Sequence, residues 1–473
     1  MATYRSKLAA LPLFAALLTG TAAAADRYSV KWPKVAPETL RHYLELLRID
    51  TSNPPGNETK AAKYVQAALE REGIPSKLLA LEPARANLVA RIKGNGSKKP
   101  ILIMGHTDVV GVQRNKWTVD PFAGIRKDGF VYGRGAQDDK DNLAASLMVT
   151  VLLKRMGVKL DRDVIFVAES GEEGSGPTGI NYLVKEQWDE IAAEYALAEG
   201  GSATASNGKV RYLTVMTTEK APRGARLIAH GTASHGSKPT LDNAVVRLAN
   251  AVAKVSAWQP PMRLNDTTRA YFERLASISE PAAAARYNHI SDPARTAAIQ
   301  QYFLSNEQGH YSNLRTSVVP TRISAGFRAN VIPSEAEAYL DIRALPDEDI
   351  GKFYAELRRV IDDPKVDVVG PDNATRPMGA PSRIDNEMFR ALEAVGKRMF
   401  PGSVTLPGML NGATDMAQLR ARGVQAYGIG PIADEHEAPG GGAHGDDERL
   451  AEASLHKLVE YLWYAVLEVA ASR

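Results

Sequence analysis

Three apolar runs, each ending in acidic or histidine side chains, constrain this chain more than any other feature. ILIMGHTDVV from Ile101, DVIFVAES from Asp163 and EYALAEGG from Glu194 are continuous hydrophobic stretches of strand length, the pattern of strands buried on both faces. Between the first two lies Lys140 to Met156, KDNLAASLMVTVLLKRM, whose length and apolar spacing predict a helix. Strands alternating with helices argue for a sheet covered on both sides. In such sheets ligands collect at the carboxyl ends of the strands, and here polar residues cluster after Met104, Ala168 and Ala198. Upstream, Leu40, Leu44 and Leu47 have helical spacing, and SNPPGN from Ser52 is a turn cluster. Around Pro222 the character changes. ARLIAHGTASHG and AEAYLDIRALP read as strands flanking a helical region rich in Ala and Arg, and the sheet-and-helix pattern resumes from about Asn386. This predicts a smaller lid domain, 221–378, inserted into a larger one made of 26–220 and 379–473. A chain of 473 residues is also too long for a single core.

The first 25 residues read as a cleaved export signal. Arg5 and Lys7 precede an apolar run from Leu8 to Leu18 and the small residues Thr21 to Ala25. The run is shorter than the ~20 residues a bilayer needs, and Pro12 interrupts it. The expected mature chain starts near Asp26 and is periplasmic or secreted, with no membrane attachment. Removing Arg5 and Lys7 takes the formal charge from +3 to about +1, too balanced for a surface that holds nucleic acid. The chain has no cysteine, which excludes disulfides, thiolate metal sites and thiol nucleophiles.

Any metal must therefore be held by His and carboxylate. His106 and Asp108 sit two apart just after a strand, Asp138 opens the helix from Lys140, Glu172 and Glu173 follow the strand ending at Ser170, Glu199 follows Ala198, and His444 lies in a Gly-rich loop before the last helix. Taken singly, each residue has an ordinary explanation as a cap, a solvated face or a locally satisfied histidine. Their shared position at strand ends favours a site. Imidazoles and carboxylates suit Zn²⁺ or Co²⁺, and one carboxylate can bridge two ions ~3.5–4 Å apart.

GHTDVV, YGRGAQDDK, ESGEEGSG, ALAEGG and AHGDDERL, in this order, resemble the motif set of the M20 family of metallopeptidases, over nearly the whole chain from Thr39. The resemblance implies a zinc-peptidase-like α/β domain with a mixed, largely parallel sheet covered by helices, and an inserted α+β lid that is ferredoxin-like. It implies two zinc ions, with Co²⁺ or Mn²⁺ as alternatives. His106 and Glu199 would be terminal ligands of one and Glu173 and His444 of the other, with Asp138 bridging ahead of a cis peptide bond. His436 is the alternative to His444, but HGDDE matches the family pattern and HEAPG does not. Asp108 would orient His106, Glu172 would be the general base, and His235 in GTASHGSKP would donate to the oxyanion. Asn330 and Arg343 would bind a substrate carboxylate, to which the planar fork of Arg is suited.

The implied activity is cleavage of an amide bond next to a free carboxylate, in a small peptide or an N-acyl amino acid, by a chain that can pair with a second copy through its lid. A helical, Ala-rich insertion between Trp258 and Tyr311 departs from the simplest members and resembles the carboxypeptidase S-like branch. It leaves open whether His235 serves its own active site or a partner's. The rival expectation is a catalytically silent periplasmic protein that binds peptide or metal on the same fold.

Overall fold

The computed structural model describes residues 27–174, 176–371, 376–434 and 441–472. The expected export signal and His436 lie outside the described residues.

The strand Ile101–His106 forms the middle of a large sheet. It runs parallel to Val164–Glu169 on one side and to Tyr195–Ala198 on the other, and Gln425–Gly428 continues the parallel run. Antiparallel pairings extend it at both ends: Asn87–Ile92 and Ser76–Leu79 beyond Val164–Glu169, and Lys209–Glu219 and Ser202–Ser206 beyond Gln425–Gly428. Ile432–Asp434 lines the far edge, and Val404–Leu410 joins Lys209–Glu219 in parallel.

Alternation of side chains across the pleat explains why the central strands are apolar throughout. Ile101, Ile103, Val164 and Phe166 face the core closed by the helices Trp32–Leu47, Lys140–Arg155 and Glu452–Ala470. Leu102, Met104, Ile165 and Val167 face the opposite core, closed by Ile180–Glu186 and Met416–Ala421. Helix Lys140–Arg155 is buried from Lys140 to Leu153, its polar residues Asn142, Ser146 and Thr150 included.

The second sheet is smaller and wholly antiparallel, with Val366–Val369, Ala225–His230, Glu335–Ala344 and Ser317–Ala325 side by side in that order. Helices Ala244–Ala257 and Ile350–Ile361 pack on it through Leu248, Phe353 and Leu357 against Leu227, Ala338 and Leu340. In chain order this is strand, helix, strand, strand, helix, strand, with the first and third strands central, which is the ferredoxin-like arrangement. The fold is thus the expected combination of a helix-covered mixed sheet and a separate antiparallel one.

The insertion forms the helices Asp266–Ala276, Pro281–Asn288, Thr296–Asn306 and Gln308–Asn313. Its aromatic residues Phe272, Tyr287 and Phe303 share a core with Leu406 of the large sheet. Among the described residues no helix is long and apolar enough to cross a membrane.

Candidate active site

The site grows from the end of the central strand. His106 is its last residue, and Gly105 before it lies so close to the helix from Lys140 that a Cβ there would come within 2.6 Å of the Leu143 amide nitrogen. Glycine lets strand and helix approach, which brings the residues ahead of the helix against His106. Asp139 accepts the His106 backbone N–H at 3.1 Å. The Asp138–Asp139 peptide bond is cis.

The two carboxylate oxygens of Asp138 face different histidines. Oδ1 is 2.8 Å from His106 Nε2, and Oδ2 is 3.1 Å from His444 Nε2. Glu173 Oε1 lies 3.0 Å from that same His444 nitrogen, and Glu199 Oε2 lies 3.9 Å from His106 Nε2. The five residues read as ligands are therefore brought together around Asp138. Ligand atoms of His106, Asp138 and Glu173 fall within 4.8 Å of one another, as do those of His106, Glu172 and Glu199. By distance alone Glu172 also qualifies as a ligand, but Arg376 Nη2 already donates to its Oε1 at 2.6 Å.

His444 stands at φ 63°, in the left-handed region that a non-glycine residue occupies only when its surroundings hold it there. Arg134 Nη2 donates to the His444 carbonyl at 3.4 Å, and Arg134 Nη1 forms a buried ion pair with Glu448 Oε2 at 2.5 Å. The Glu448 carboxylate also accepts the backbone N–H groups of Gly135 and Gln137 at 3.2 and 2.7 Å. The GRGAQ turn that leads to Asp138 and the HGDDE loop that carries His444 are thus fastened to each other.

Asp108 is fully buried and binds backbone rather than its neighbour's ring. Its oxygens accept the N–H groups of Glu172 and Glu173, both at 3.1 Å, and the Asn53 side chain at 2.9 Å. The hydrogen bond to His106 Nδ1 is made by the Asp108 main-chain oxygen at 3.0 Å, while its carboxylate stands 3.6 Å away, beyond hydrogen-bond range. Asp108 therefore sets the loop that presents both glutamates.

Burial, with the nearby Asp138, raises the Glu199 carboxyl well above its usual range, and burial together with Asp415 pushes Glu172 up to about 8 against the pull of Arg376. Burial also opposes ionisation of Asp138, yet hydrogen bonds from His106 and His444 hold it below the carboxylate range. Hydrogen bonds to Asp138 and Glu173 raise His444 to about 10. The site holds more buried carboxyl groups than neighbouring cations can neutralise, a mismatch that divalent cations relieve. Imidazole nitrogens and carboxylate oxygens are donors that zinc, cobalt and manganese accept, so the residues present fit a two-metal centre.

A cavity of about 640 Å³ opens beside this cluster, lined by Asp138, Glu172, Glu199 and His444 and, from the smaller sheet, by Pro222 and Arg343. The Arg343 fork rests on Asp341 at 2.8 and 3.2 Å. His235 and Asn330 lie together on the lid, where His235 pairs with Val331 and Gly236 N–H donates to Asn330 O at 2.8 Å. Both are exposed, and neither is among the residues lining the cavity. Asn53, Arg376, Asp415 and Glu448 were given no role from sequence. Of these, Asp415, which ends the NGATD loop, and Glu448, inside the HGDDE motif, carried a local signal there.

Residues 102–468 match the family described as peptidase family M20/M25/M40. The chain is 29% identical over 394 residues to a probable carboxypeptidase S-like 2 of Dictyostelium discoideum, covering 81% of this chain and 74% of that one. It is 25% identical over 410 residues to aminoacylase-1 of Mus musculus, covering 85% and 89% respectively. Among solved structures, a M20 family metallo-carboxypeptidase from Sulfolobus solfataricus superimposes with TM-score 0.66 at 17% identity, over 91% of this chain and 99% of that one. Human carnosine dipeptidase 1 does so with TM-score 0.63 at 15% identity, over 94% and 98%.

Proposed function

Because the chain belongs to peptidase family M20/M25/M40 and is a metallohydrolase of the carboxypeptidase and aminoacylase kind, we propose that it cleaves the amide bond of a dipeptide, a C-terminal residue or an N-acyl amino acid. The observation that carries the reading is the division of Asp138 between His106 and His444, with Glu199 and Glu173 beside them. In this reading His106 and Glu199 would hold one metal ion, Glu173 and His444 would hold the other, and Asp138 would be shared between them. Zinc is the proposed metal, with cobalt or manganese able to use the same ligands. When bound, the ions supply Lewis acidity toward the carbonyl and lower the pKa of water toward neutrality.

Glu172 takes the proton from the attacking water and later delivers it to the leaving nitrogen, so that a C–O bond replaces the C–N bond and both products leave with their protons accounted for. Burial suits it to this, because a carboxyl raised toward neutral pH both accepts and returns a proton.

Arg343 receives the substrate carboxylate in the cavity wall, exchanging it for Asp341. Arg343→Lys keeps the charge and loses the fork. It should raise KM for substrates with a free carboxylate by roughly tenfold or more, in line with a lost charge-assisted hydrogen bond, and affect amidated analogues less. Equal losses on both substrate types would remove Arg343 from this role.

His235 is proposed to donate to the oxyanion in the site of a second copy of the chain, since it is exposed and does not line the cavity of its own. Ser317–Ala325 pairs with Glu335–Ala344 on one side only among the described residues, and exposes Val319 and Ile323. Such an unpaired, apolar edge suits pairing between copies. Chains carrying Glu172→Gln and chains carrying His235→Ala, each inactive alone, should regain activity when mixed under conditions that exchange subunits. No recovery, with exchange verified by mass, would confine His235 to its own chain.

We also propose export with cleavage near Ala25. N-terminal sequencing of the mature protein tests this, and an intact Met1 in the exported fraction would contradict it. The function itself is tested by screening metal-loaded protein against dipeptides and N-acyl amino acids, with chelator as the control. Chelator-sensitive release of free amino acid supports the reading, and no release from any of them refutes it.

A further inference from the structure

Arg376 belongs to the segment that returns from the smaller sheet to the large one, and it ends beside Glu172. Its Nη2 donates to Glu172 Oε1 at 2.6 Å and to the Glu172 main-chain oxygen at 3.0 Å. Its Nη1 stands 3.3 Å from Asp415 Oδ1. Among the described residues no other side chain donates to the Glu172 carboxylate. One carboxylate oxygen is thus held, and the other is left without a protein partner at the cavity wall.

Arg376 is anchored at its main chain and at its tip. Arg223 Nη2 donates to the Arg376 carbonyl at 2.9 Å, and Arg223 lies on the outgoing crossing between the sheets. Asp415 is buried and follows Thr414, whose backbone N–H and hydroxyl donate to Glu219 at 2.8 and 2.7 Å. Glu219 is in turn fixed by Arg420 at 2.8 Å. A planar fork reaching two carboxylates from a rigid seat restricts the glutamate to one orientation, which a point charge on a flexible stem does not.

We propose that Arg376 is a positioning residue for amide cleavage: braced by Asp415, it holds one oxygen of Glu172 so that the other faces the attacking water. The proposal rests on the reading of Glu172 as the proton carrier. It also makes the posture of the base depend on the segment that carries the smaller sheet, because both crossings between the sheets meet at Arg376. The competing account is a structural ion pair that fastens this segment to the large sheet and has no part in turnover.

The two accounts separate in a double-mutant cycle on the metal-loaded enzyme. Arg376→Ala should lower kcat roughly 10²-fold, the loss expected of a misplaced reacting group, with KM changed less than about threefold. Metal content should stay at that of the unsubstituted enzyme. Added methylguanidinium should restore part of kcat. In the Glu172→Gln background, Arg376→Ala should cost less than about twofold more, because both substitutions remove the same function. If the alanine variant does not fold, Arg376→Lys takes its place, since it keeps the charge and bulk but cannot span both carboxylates. It too should lose kcat and be silent in the Glu172→Gln background.

Losses that multiply in the double variant overturn the proposal in favour of the structural ion pair. A raised KM with unchanged kcat overturns it in favour of a substrate ligand. Wild-type turnover in Glu172→Gln alone removes the reading of Glu172 and the proposal with it, a result distinct from either of these.

Discussion

Glu172→Gln should retain both metal ions while turnover falls by the ~10²–10⁴-fold that loss of a general acid–base group produces. Glu173→Gln should instead lose one ion, and excess zinc should restore part of its activity. The two residues are adjacent and chemically identical, and Asp108 holds the backbone N–H of each, so local chemistry does not tell them apart. Their carboxylates do. Glu173 reaches His444 and shares it with Asp138, whereas Glu172 is turned to Arg376. Gln keeps the size of Glu and some of its hydrogen bonding, so neither variant should owe its phenotype to packing. The measurement is metal stoichiometry beside turnover for both variants at one pH. Loss of an ion in the Glu172 variant with two retained in the Glu173 variant reverses the assignment.

Asp138→Asn should be the most damaging conservative change in the protein. A bridging carboxylate offers an anionic oxygen to each side, and here Oδ1 faces His106 while Oδ2 faces His444. An amide offers one neutral oxygen and one nitrogen that donates. Both ions should therefore bind more weakly, and turnover should drop to that of chelator-treated enzyme. Metal titration by calorimetry should show two weakened sites, unlike the single weakened site of Glu173→Gln. One intact high-affinity site in the Asp138 variant would show that the carboxylate serves a single ion.

The central sheet was legible because burial on both faces forces an unbroken apolar run, and the runs from Ile101, Asp163 and Glu194 lie in the adjacent strands Ile101–His106, Val164–Glu169 and Tyr195–Ala198. The helix from Lys140 was legible by its length. The strand Ser317–Ala325 was not read, because it lies at an edge, is largely exposed and carries Pro320, so neither alternation nor an apolar run marks it. Helix Ile350–Ile361 was not read either, although the Asp349 side chain accepts the Lys352 N–H at its start and Phe353, Leu357 and Ile361 are buried at helical spacing.

Within the site, the residues found from sequence stand in short motifs at strand ends. Those missed act across long separations. Arg376 meets a glutamate 204 positions earlier, and Asn53, read as part of a turn, meets Asp108 55 positions later. No local pattern encodes such pairings. Asp108 meets His106 Nδ1 through its main-chain oxygen at 3.0 Å, with its carboxylate 3.6 Å away, a distinction that exists only in three dimensions.

On the proposed reading, amide cleavage depends on a pair of metal ions held around Asp138. Metal-free protein titrated with zinc, with bound metal and hydrolysis of a dipeptide and N-acyl amino acid mixture followed in the same samples, tests it directly. The account predicts two ions per chain, and amino acid release that rises with metal occupancy and disappears on chelation. Release that persists without metal, or two bound ions with no release from any peptide or N-acyl substrate, would contradict it.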